Sequence, residues 1–420
     1  MRMIVHTADL VSCLADAIDL INTHLSRHNR TVLCLAHAIG VEYGLGSNQL
    51  ENLVVAAAVH DIGALTFTAR NSIMDFEVDD PLHAHVGCRL LSGFRPFAHV
   101  APIVKHHHGD YRDVSAHGTD TDDPSIESRI IHLADRIAVL VSPQFQLGDA
   151  QPVVDMVQQG AGSRFDPNLI EVFQRLSRKE SFWLNARSAE SDAPLEETLA
   201  RNIHLYASDM VDLGEMLAQV IDFRSSFTAT HSSGVSAVAA ELGSLIGFSE
   251  NQCVMIRVAG LLHDIGKLTI PESILNSPEG LSPEEYNLMR GHTYYTDRLL
   301  RRIREFDLIR VWGSLHHERL DGTGYPFRLR AAQIPLCSRI MAVADVYTAV
   351  SEDRPYRKGM QCEKVTSVLR SMVASGGLEQ KVVELLLDNY PRIESVRSAA
   401  QENALRKYKE FYRQVVGQDG

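Results

Sequence analysis

The chain lacks any long hydrophobic run. Of its 420 residues, 45% are hydrophobic and 22% are charged, which is typical of soluble globular proteins. No apolar stretch approaches the roughly 20 residues that a membrane helix needs. The first ten residues, MRMIVHTADL, have neither a long apolar core nor a small-residue cleavage site, so no signal peptide is expected. We therefore expect a cytoplasmic protein of two or three domains, without a membrane partner.

Cysteine pairs and excess basic charge are missing as well. The six cysteines form no CxxC motif, which indicates reduced thiols rather than disulfides or a thiolate zinc site. The formal net charge is −12, whereas DNA-binding proteins are usually basic. DNA is therefore not an expected partner. A small anionic substrate in a local positive pocket stays compatible with this charge.

Strand patterns are short and few, whereas helical periodicity is common. Apolar residues recur three and four apart in 9–25, 29–45 and 47–63, as on the buried face of a helix. A long helical pattern covers about 196–223, and a polar helical tail begins near residue 395. The sequence therefore predicts an all-α fold.

A polar, acidic segment separates two halves of the chain. Residues 185–200 read NARSAESDAPLEETLA and follow the aromatic cluster SFWL. Domain boundaries commonly fall in such polar stretches. We predict an N-terminal domain over 1–195, and a C-terminal domain with a helical tail over 196–420.

The two halves repeat one set of polar residues. HDIG occurs at 60–63 and 263–266, in each case 32 residues after another histidine. Both halves then have a histidine six residues before RLL, a histidine pair, and an aspartate 28 residues after the pair. The N-terminal set is His28, His60, Asp61, His83, His106, His107 and Asp135. The C-terminal set is His231, His263, Asp264, His292, His316, His317 and Asp345. This order indicates duplicated helical domains.

Five histidines and two aspartates in mostly apolar helical surroundings form a candidate metal-ligand set. Imidazole with carboxylate suits iron, manganese, zinc, nickel or cobalt better than calcium or magnesium. Seven ligands exceed the needs of one tetrahedral ion, so two metals that share one carboxylate fit the count better. Such a pair polarises phosphoryl oxygens and generates hydroxide at neutral pH. The alternative is that these residues serve packing alone, and it applies most to the N-terminal set.

The C-terminal half resembles an HD-GYP domain of the HD phosphohydrolase superfamily over about 220–375. The N-terminal half resembles the broader HD fold and lacks the GYP segment. The C-terminal resemblance rests on HDIGK (263–267), GH (291–292), HHERLDGTGYP (316–326), ADVYTAV (344–350) and DRPYRKGM (353–360). It implies tandem all-α helical bundles and a bacterial signal-transduction enzyme. The implied reaction is metal-dependent hydrolysis of a cyclic dinucleotide, cyclic di-GMP or 3′3′-cyclic GMP-AMP.

The resemblance also implies roles for single residues. One metal would be held by His231, His263, Asp264 and Asp345, and the other by Asp264, His292, His316 and His317. Asp264 would bridge the two metals, and a metal-bridging hydroxide would attack the phosphorus. Lys267 would stabilise charge on the phosphoryl oxygens. Iron or manganese is the expected metal, with nickel, cobalt or zinc as alternatives.

Substrate contacts are implied for the signature loop and for two cations that follow it. These residues are Gly322, Gly324, Tyr325, Pro326, Arg354 and Lys358. Tyr325 would either stack on a base or pack within the protein. Arg354 and Lys358 would bind phosphate or form an exposed charged pair.

Two departures from the family pattern affect the expected site. Some relatives have a metal-binding glutamate four residues before the first histidine, whereas this chain has Phe227, so we expect two metals rather than three. FRLRAAQIP follows the signature loop in place of a glycine-containing stretch, and Arg328 and Arg330 add positive charge there. The choice between the two dinucleotides therefore stays open.

The N-terminal half has Ala64 at the position of Lys267 and has no GYP loop. A metal site without this cation and this loop is poorly equipped for the same reaction. We therefore expect this half to bind metal and to regulate or dimerise the protein, with a second copy of the chain as a candidate partner. The alternatives are a separate phosphohydrolase or a relic without metal. For the whole protein, the alternative is a catalytically silent sensor of cyclic dinucleotides.

Overall fold

The computed structural model divides the chain into two compact units. The N-terminal unit comprises His6–Ile203, and the C-terminal unit comprises His204–Gly420 together with Met1–Val5. Nearly all regular elements are helices, which confirms the all-α prediction. Within the described part, no helix combines the length and the apolarity that crossing a bilayer requires. The structure describes residues 2–21, 27–64, 81–112, 123–141, 144–188, 192–224, 230–277, 280–353 and 358–416.

The N-terminal unit is a bundle arranged around its second helix, α2. This helix begins at His28 and packs against α3, α6 and α8. Gly44, with a φ of +91°, follows its last residue and caps it. Glycine adopts this left-handed helix end without steric cost. The helices are α1 (Thr7–Asp19), α2 (His28–Tyr43), α3 (Ser47–Val59), α4 (Pro81–Ser92), α5 (Ala101–Lys105), α6 (Ile126–Leu140), α7 (Ala150–Gln159), α8 (Pro167–Leu176), α9 (Glu180–Ser188) and α10 (Ala193–Thr198).

The C-terminal unit repeats this plan. Its α12 begins at His231 and packs against α13, α17 and α20. The polar tail is therefore a packed helix of the unit. Gly247, with a φ of +97°, follows the last residue of α12 and caps it. The helices are α11 (Ala207–Arg224), α12 (His231–Ile246), α13 (Glu250–Leu262), α14 (Glu272–Leu275), α15 (Pro283–Leu300), α16 (Asp307–Ser314), α17 (Leu336–Ser351), α18 (Cys362–Ala374), α19 (Gln380–Asp388) and α20 (Tyr390–Val416).

The helical pattern over 196–223 is interrupted in the structure. A strand, β2 (Asn202–Tyr206), lies between α10 and α11 and pairs with the N-terminal strand β1 (Arg2–His6). The first four residues of both strands have the same exposure pattern, with Val5 and Leu205 fully buried. Backbone pairing with a segment about 200 residues away overrides the local helical pattern, because strand preference depends on the neighbouring strand.

Candidate metal centres

The glycine of each HDIG motif allows two helices to approach closely. A Cβ on Gly266 would lie 1.9 Å from the backbone oxygen of His292, and one on Gly63 would lie 2.0 Å from that of His83. Any larger residue would push the second helix away. The glycine therefore places a histidine of α15, or of α4, beside the aspartate of its own motif.

The two oxygens of Asp264 face different histidines. Oδ2 lies 3.2 Å from Nε2 of His263. Oδ1 lies 3.3 Å from Nε2 of His292 and 3.9 Å from Nε2 of His316. This side chain is buried between the two groups of imidazoles. A carboxylate in this position has the geometry that bridging two cations requires.

The remaining predicted ligands of the C-terminal unit complete the two groups. Ligand atoms of His231, His263 and Asp264 lie within 4.8 Å of one another, and so do those of His292, His316 and His317. Nε2 of His231 is 3.1 Å from Oδ1 of Asp345. The structure thus brings together all seven residues that the sequence singled out.

Backbone hydrogen bonds orient the histidines. Nδ1 of His263 lies 2.7 Å from the oxygen of Gly260, and His292 and His316 make the same contact three residues back at 2.6 Å. When Nδ1 donates its proton, Nε2 is left as a lone-pair donor that can ligate a metal. Nε2 of His263 is buried and makes no hydrogen bond within the described residues. The donor set therefore fits a transition metal.

Burial also favours the neutral form of some of these imidazoles, the form in which histidine binds a metal. Burial lowers the pKa of His292 to about 3 and holds the pKa of His316 well below its usual range. Burial alone would raise the pKa of Asp264, but His263 and Lys267 hold it well below its usual range. His292 and His316, which lie near the ionised Asp264, can therefore bind a cation without losing a proton.

Lys267 lies beside the aspartate, as the motif predicted. It belongs to a short 3₁₀ helix, Ile265–Thr269, and its Nζ lies 2.5 Å from Oδ2 of Asp264. Its side chain is 19% exposed. The ammonium group is therefore at the open side of an otherwise buried cluster.

Sequence reasoning missed Glu352, which supports His231. Its Oε1 lies 3.2 Å from Nδ1 of His231, and its Oε2 accepts a hydrogen bond of 3.0 Å from Gln401 of α20. Burial lowers the pKa of His231, but Glu352 and Asp345 outweigh it and raise the pKa to about 10. Glu352 follows Asp345 by seven residues, two helical turns, and this spacing was the available signal.

Replacing Glu352 tests this support. We expect Glu352→Gln to weaken metal affinity about 10- to 100-fold, because carboxylates that orient a ligating histidine have effects of this size. A chelator titration of metal-loaded protein measures the change. Gln401→Met, which removes the hydrogen bond to Glu352 and the one that Gln401 accepts from Arg397, should have a smaller effect in the same direction. Unchanged affinity in Glu352→Gln would show that Glu352 does not support the ligand.

The N-terminal unit contains a similar cluster. Nε2 of His28 lies 2.9 Å from Oδ1 of Asp135, and Nε2 of His60 and of His83 each lie 3.4 Å from Oδ1 of Asp61. Nε2 of His60 is buried and makes no hydrogen bond to any described residue. These residues are therefore arranged as candidate metal ligands.

The histidine pair of this cluster differs from the prediction by one residue. His107 and His108 lie with His83 within 4.8 Å, whereas His106 belongs to none of the ligand groups found in the described part. Nδ1 of His107 bonds to Val104 three residues back, as His316 bonds to Gly313. The predicted pair His106–His107 is therefore corrected to His107–His108. The sequence contained a sign of this correspondence, because His83 and His107 are 24 residues apart, as are His292 and His316.

A buried arginine changes the charge of the N-terminal cluster. Arg136 is fully buried and donates hydrogen bonds of 2.6 and 3.1 Å to Oδ2 of Asp135. In the C-terminal unit, the residue after Asp345 is Val346, which carries no charge. A fixed positive charge beside a ligand opposes the approach of metal cations. Ala64 is fully buried in this unit, where the C-terminal unit has Lys267.

The signature loop is held against the C-terminal cluster. A Cβ on Gly324 would lie 2.3 Å from the nitrogen of Arg319, and Gly322 has a φ of +83°. The buried Glu318 accepts hydrogen bonds from the backbone of Phe327 and Leu329, at 2.7 and 2.9 Å. Both glycines are therefore needed for the shape of the loop.

The loop also brings its tyrosine to the metal ligands. The ring of Tyr325 lies 4.9 Å from that of His317, and the following bond to Pro326 is cis. This contact favours a packing role for Tyr325 over base stacking. Lys358 is exposed. The predictions for Arg354 and Phe227 lie outside the described residues.

Comparison with known proteins gives a consistent result. Models of the HD domain match residues 25–140 and 215–381. The chain is 28% identical over 389 residues to 3′3′-cGAMP-specific phosphodiesterase 1 of Vibrio cholerae, covering 90% of each chain. It is 40% identical over 167 residues to the cyclic di-GMP phosphodiesterase PA4108 of Pseudomonas aeruginosa, covering 37% of this chain and 40% of that protein.

A solved structure has the same fold along the whole chain. The crystal structure of the Vibrio cholerae cyclic GMP-AMP specific phosphodiesterase V-cGAP3 matches with a TM-score of 0.61. The match covers 97% of this chain and 98% of that one, at 19% sequence identity. The two-unit helical architecture is therefore shared with a known protein.

Proposed function

Because the chain belongs to the HD domain family, with two HD domains in tandem, we propose that it is a metal-dependent phosphodiesterase that hydrolyses a cyclic dinucleotide. The observation that carries the proposal is the placement of Asp264 between two groups of histidines, beside Lys267 and the signature loop. The ligands would be His231, His263, Asp264, His292, His316, His317 and Asp345. Two metals bound there, iron or manganese, would supply a Lewis acid and a nucleophile derived from water.

The protein's own residues position and balance charge in this reaction. Asp264 would supply negative charge to both metals, and backbone hydrogen bonds orient the rings of His263, His292 and His316. Lys267, at the open side, is placed to stabilise negative charge on the phosphoryl oxygens of the substrate. A preorganised cation needs no reorganisation as that charge develops, so it lowers the barrier.

We propose 3′3′-cyclic GMP-AMP as the substrate. Its support is the Vibrio cholerae relative that covers nine tenths of both chains and is specific for that dinucleotide. The relative PA4108, a cyclic di-GMP phosphodiesterase, matches over little more than a third of this chain. Cyclic di-GMP is therefore the second candidate.

The test uses the full chain loaded with manganese or ferrous iron. It is incubated separately with 3′3′-cyclic GMP-AMP, cyclic di-GMP and cyclic di-AMP, and the products are separated by chromatography. We expect the fastest turnover with 3′3′-cyclic GMP-AMP. Faster turnover of cyclic di-GMP would identify that dinucleotide as the substrate instead. Binding without turnover of any dinucleotide would identify a silent sensor instead of an enzyme.

For the N-terminal unit, we propose a regulatory or structural role. Its support is the pairing of Arg136 with Asp135 and the presence of Ala64 in place of the lysine. Both differences reduce what a metal site can do for an anionic substrate. The rival role is hydrolysis of a different phosphate compound, which would appear as activity that survives removal of Asp264.

A further inference from the structure

Arg290 lies beside the C-terminal cluster and forms no ion pair with the residues that the structure describes. It precedes His292 by two residues on α15, and its guanidinium carbon lies 4.9 Å from the centre of the Tyr325 ring. Its Nε is buried and makes no hydrogen bond to any residue that the structure describes. An arginine held over an aromatic ring, with no ion pair to a described residue, has guanidinium donors available for an anionic ligand.

Other arginines close to the signature loop differ from Arg290. Arg319 donates to Asp321 and to the backbone of Ser375, at 3.0 and 2.8 Å. Arg328 and Arg330, which the sequence pointed to, are exposed. Arg290 is half-buried, and Tyr325 links it to His317 of the ligand cluster. The position of Arg290, rather than its charge alone, sets it apart.

We propose that Arg290 binds the second phosphate of the cyclic dinucleotide, the one that is not being cleaved. The inference rests on the proposed function. A cyclic dinucleotide carries two phosphodiester anions, and the ligand cluster with Lys267 accounts for one of them. The planar guanidinium can donate two parallel hydrogen bonds to phosphate oxygens, which a lysine cannot do. In the N-terminal unit, the residue two positions before His83 is Pro81, which offers no such charge.

The test compares a substrate with two phosphates and a substrate with one. Arg290→Met is assayed in the metal-loaded full chain with 3′3′-cyclic GMP-AMP and with bis(p-nitrophenyl) phosphate. We expect KM for the dinucleotide to rise about 10- to 100-fold, the usual value of hydrogen bonds to a charged group. Hydrolysis of bis(p-nitrophenyl) phosphate should be unchanged, because this compound has no second phosphate.

Two further variants sharpen the result. Arg290→Lys keeps the charge without the planar fork, and its KM should lie between those of the wild type and Arg290→Met. Arg298→Met removes an exposed arginine two helical turns along the same helix and should leave both substrates unaffected. Metal content should equal that of the wild type in all three variants.

The outcomes separate this inference from the proposed function. If the wild type hydrolyses both compounds but Arg290→Met changes neither KM, or changes both substrates equally, Arg290 does not bind the second phosphate. If the wild type hydrolyses bis(p-nitrophenyl) phosphate and no cyclic dinucleotide, the proposed function fails, and this inference fails with it.

Discussion

Asp264→Asn is expected to lower kcat for the cyclic dinucleotide by at least about a thousandfold. The change keeps the size of the side chain but removes the charge that lies between the two histidine groups. Without it, Asp345 would be the one carboxylate left among the seven proposed ligands, so two cations would be held less firmly. The stabilisation that metals give to a phosphoryl transition state amounts to several kcal/mol, and each 1.36 kcal/mol is tenfold in rate. Steady-state kinetics together with elemental analysis of the bound metal measure the effect.

The control for Asp264→Asn is the stability of the metal-free protein. Because Asp264 is paired with Lys267, the variant loses this charge pair, so its thermal unfolding midpoint should be equal to that of the wild type or lower. The kinetics are compared at a temperature at which both metal-free proteins are folded. A folded variant that keeps both metals and more than about a tenth of the wild-type kcat would disprove the bridging role.

Lys267→Met should lower kcat about 100- to 1000-fold, the loss typical when one preorganised charge-stabilising group is removed. Metal content should stay unchanged, because Lys267 contacts Asp264 as a cation and is not a ligand. Bis(p-nitrophenyl) phosphate hydrolysis should fall as well, since the phosphoryl oxygens near the metals are present in both substrates. Kinetics on both substrates, with metal analysis of the same preparation, measure these effects.

The matched control is Lys364→Met, which removes an exposed lysine of α18 and should leave kcat unchanged. If Lys267→Met loses metal in proportion to activity, its role is to support Asp264 rather than to stabilise the substrate. A normal kcat would remove Lys267 from the reaction. Either result would also weaken the contrast with Ala64 in the N-terminal unit.

The sequence alone was sufficient for the fold class and for the cluster around Asp264. In the C-terminal unit, HDIG and the histidine pair follow the ends of helices, and Asp345 lies within one. Helical periodicity predicts such helices well. The closeness of α15 to the HDIG motif could also be expected from a glycine that leaves no room for a Cβ. At these residues, the helical pattern of the sequence and the packing of the helices lead to the same positions.

The sequence was insufficient where a contact depends on distant helices. Glu352 is held by Gln401 of α20, and the pairing of Arg136 with Asp135 depends on complete burial. The seven-residue spacing of Glu352 from Asp345 points to one side of a helix, but it does not reveal the contacts with His231 and Gln401, and no pattern reveals the burial of Arg136. The three consecutive histidines at 106–108 contain two possible pairs, 106–107 and 107–108, and residue type cannot distinguish them. Only the packing of α4 against α5 decides that His107 and His108 face His83.

The division of labour between the two units is tested most directly by His263→Asn and His60→Asn in the full chain. Each variant removes one buried ligand histidine from one unit, so the two are matched. Turnover of 3′3′-cyclic GMP-AMP and bound metal are measured in parallel. We predict that His263→Asn loses nearly all turnover, whereas His60→Asn keeps most of it and loses only metal of the N-terminal unit. Equal loss of turnover in both variants would contradict the account, because both centres would then be required for the reaction.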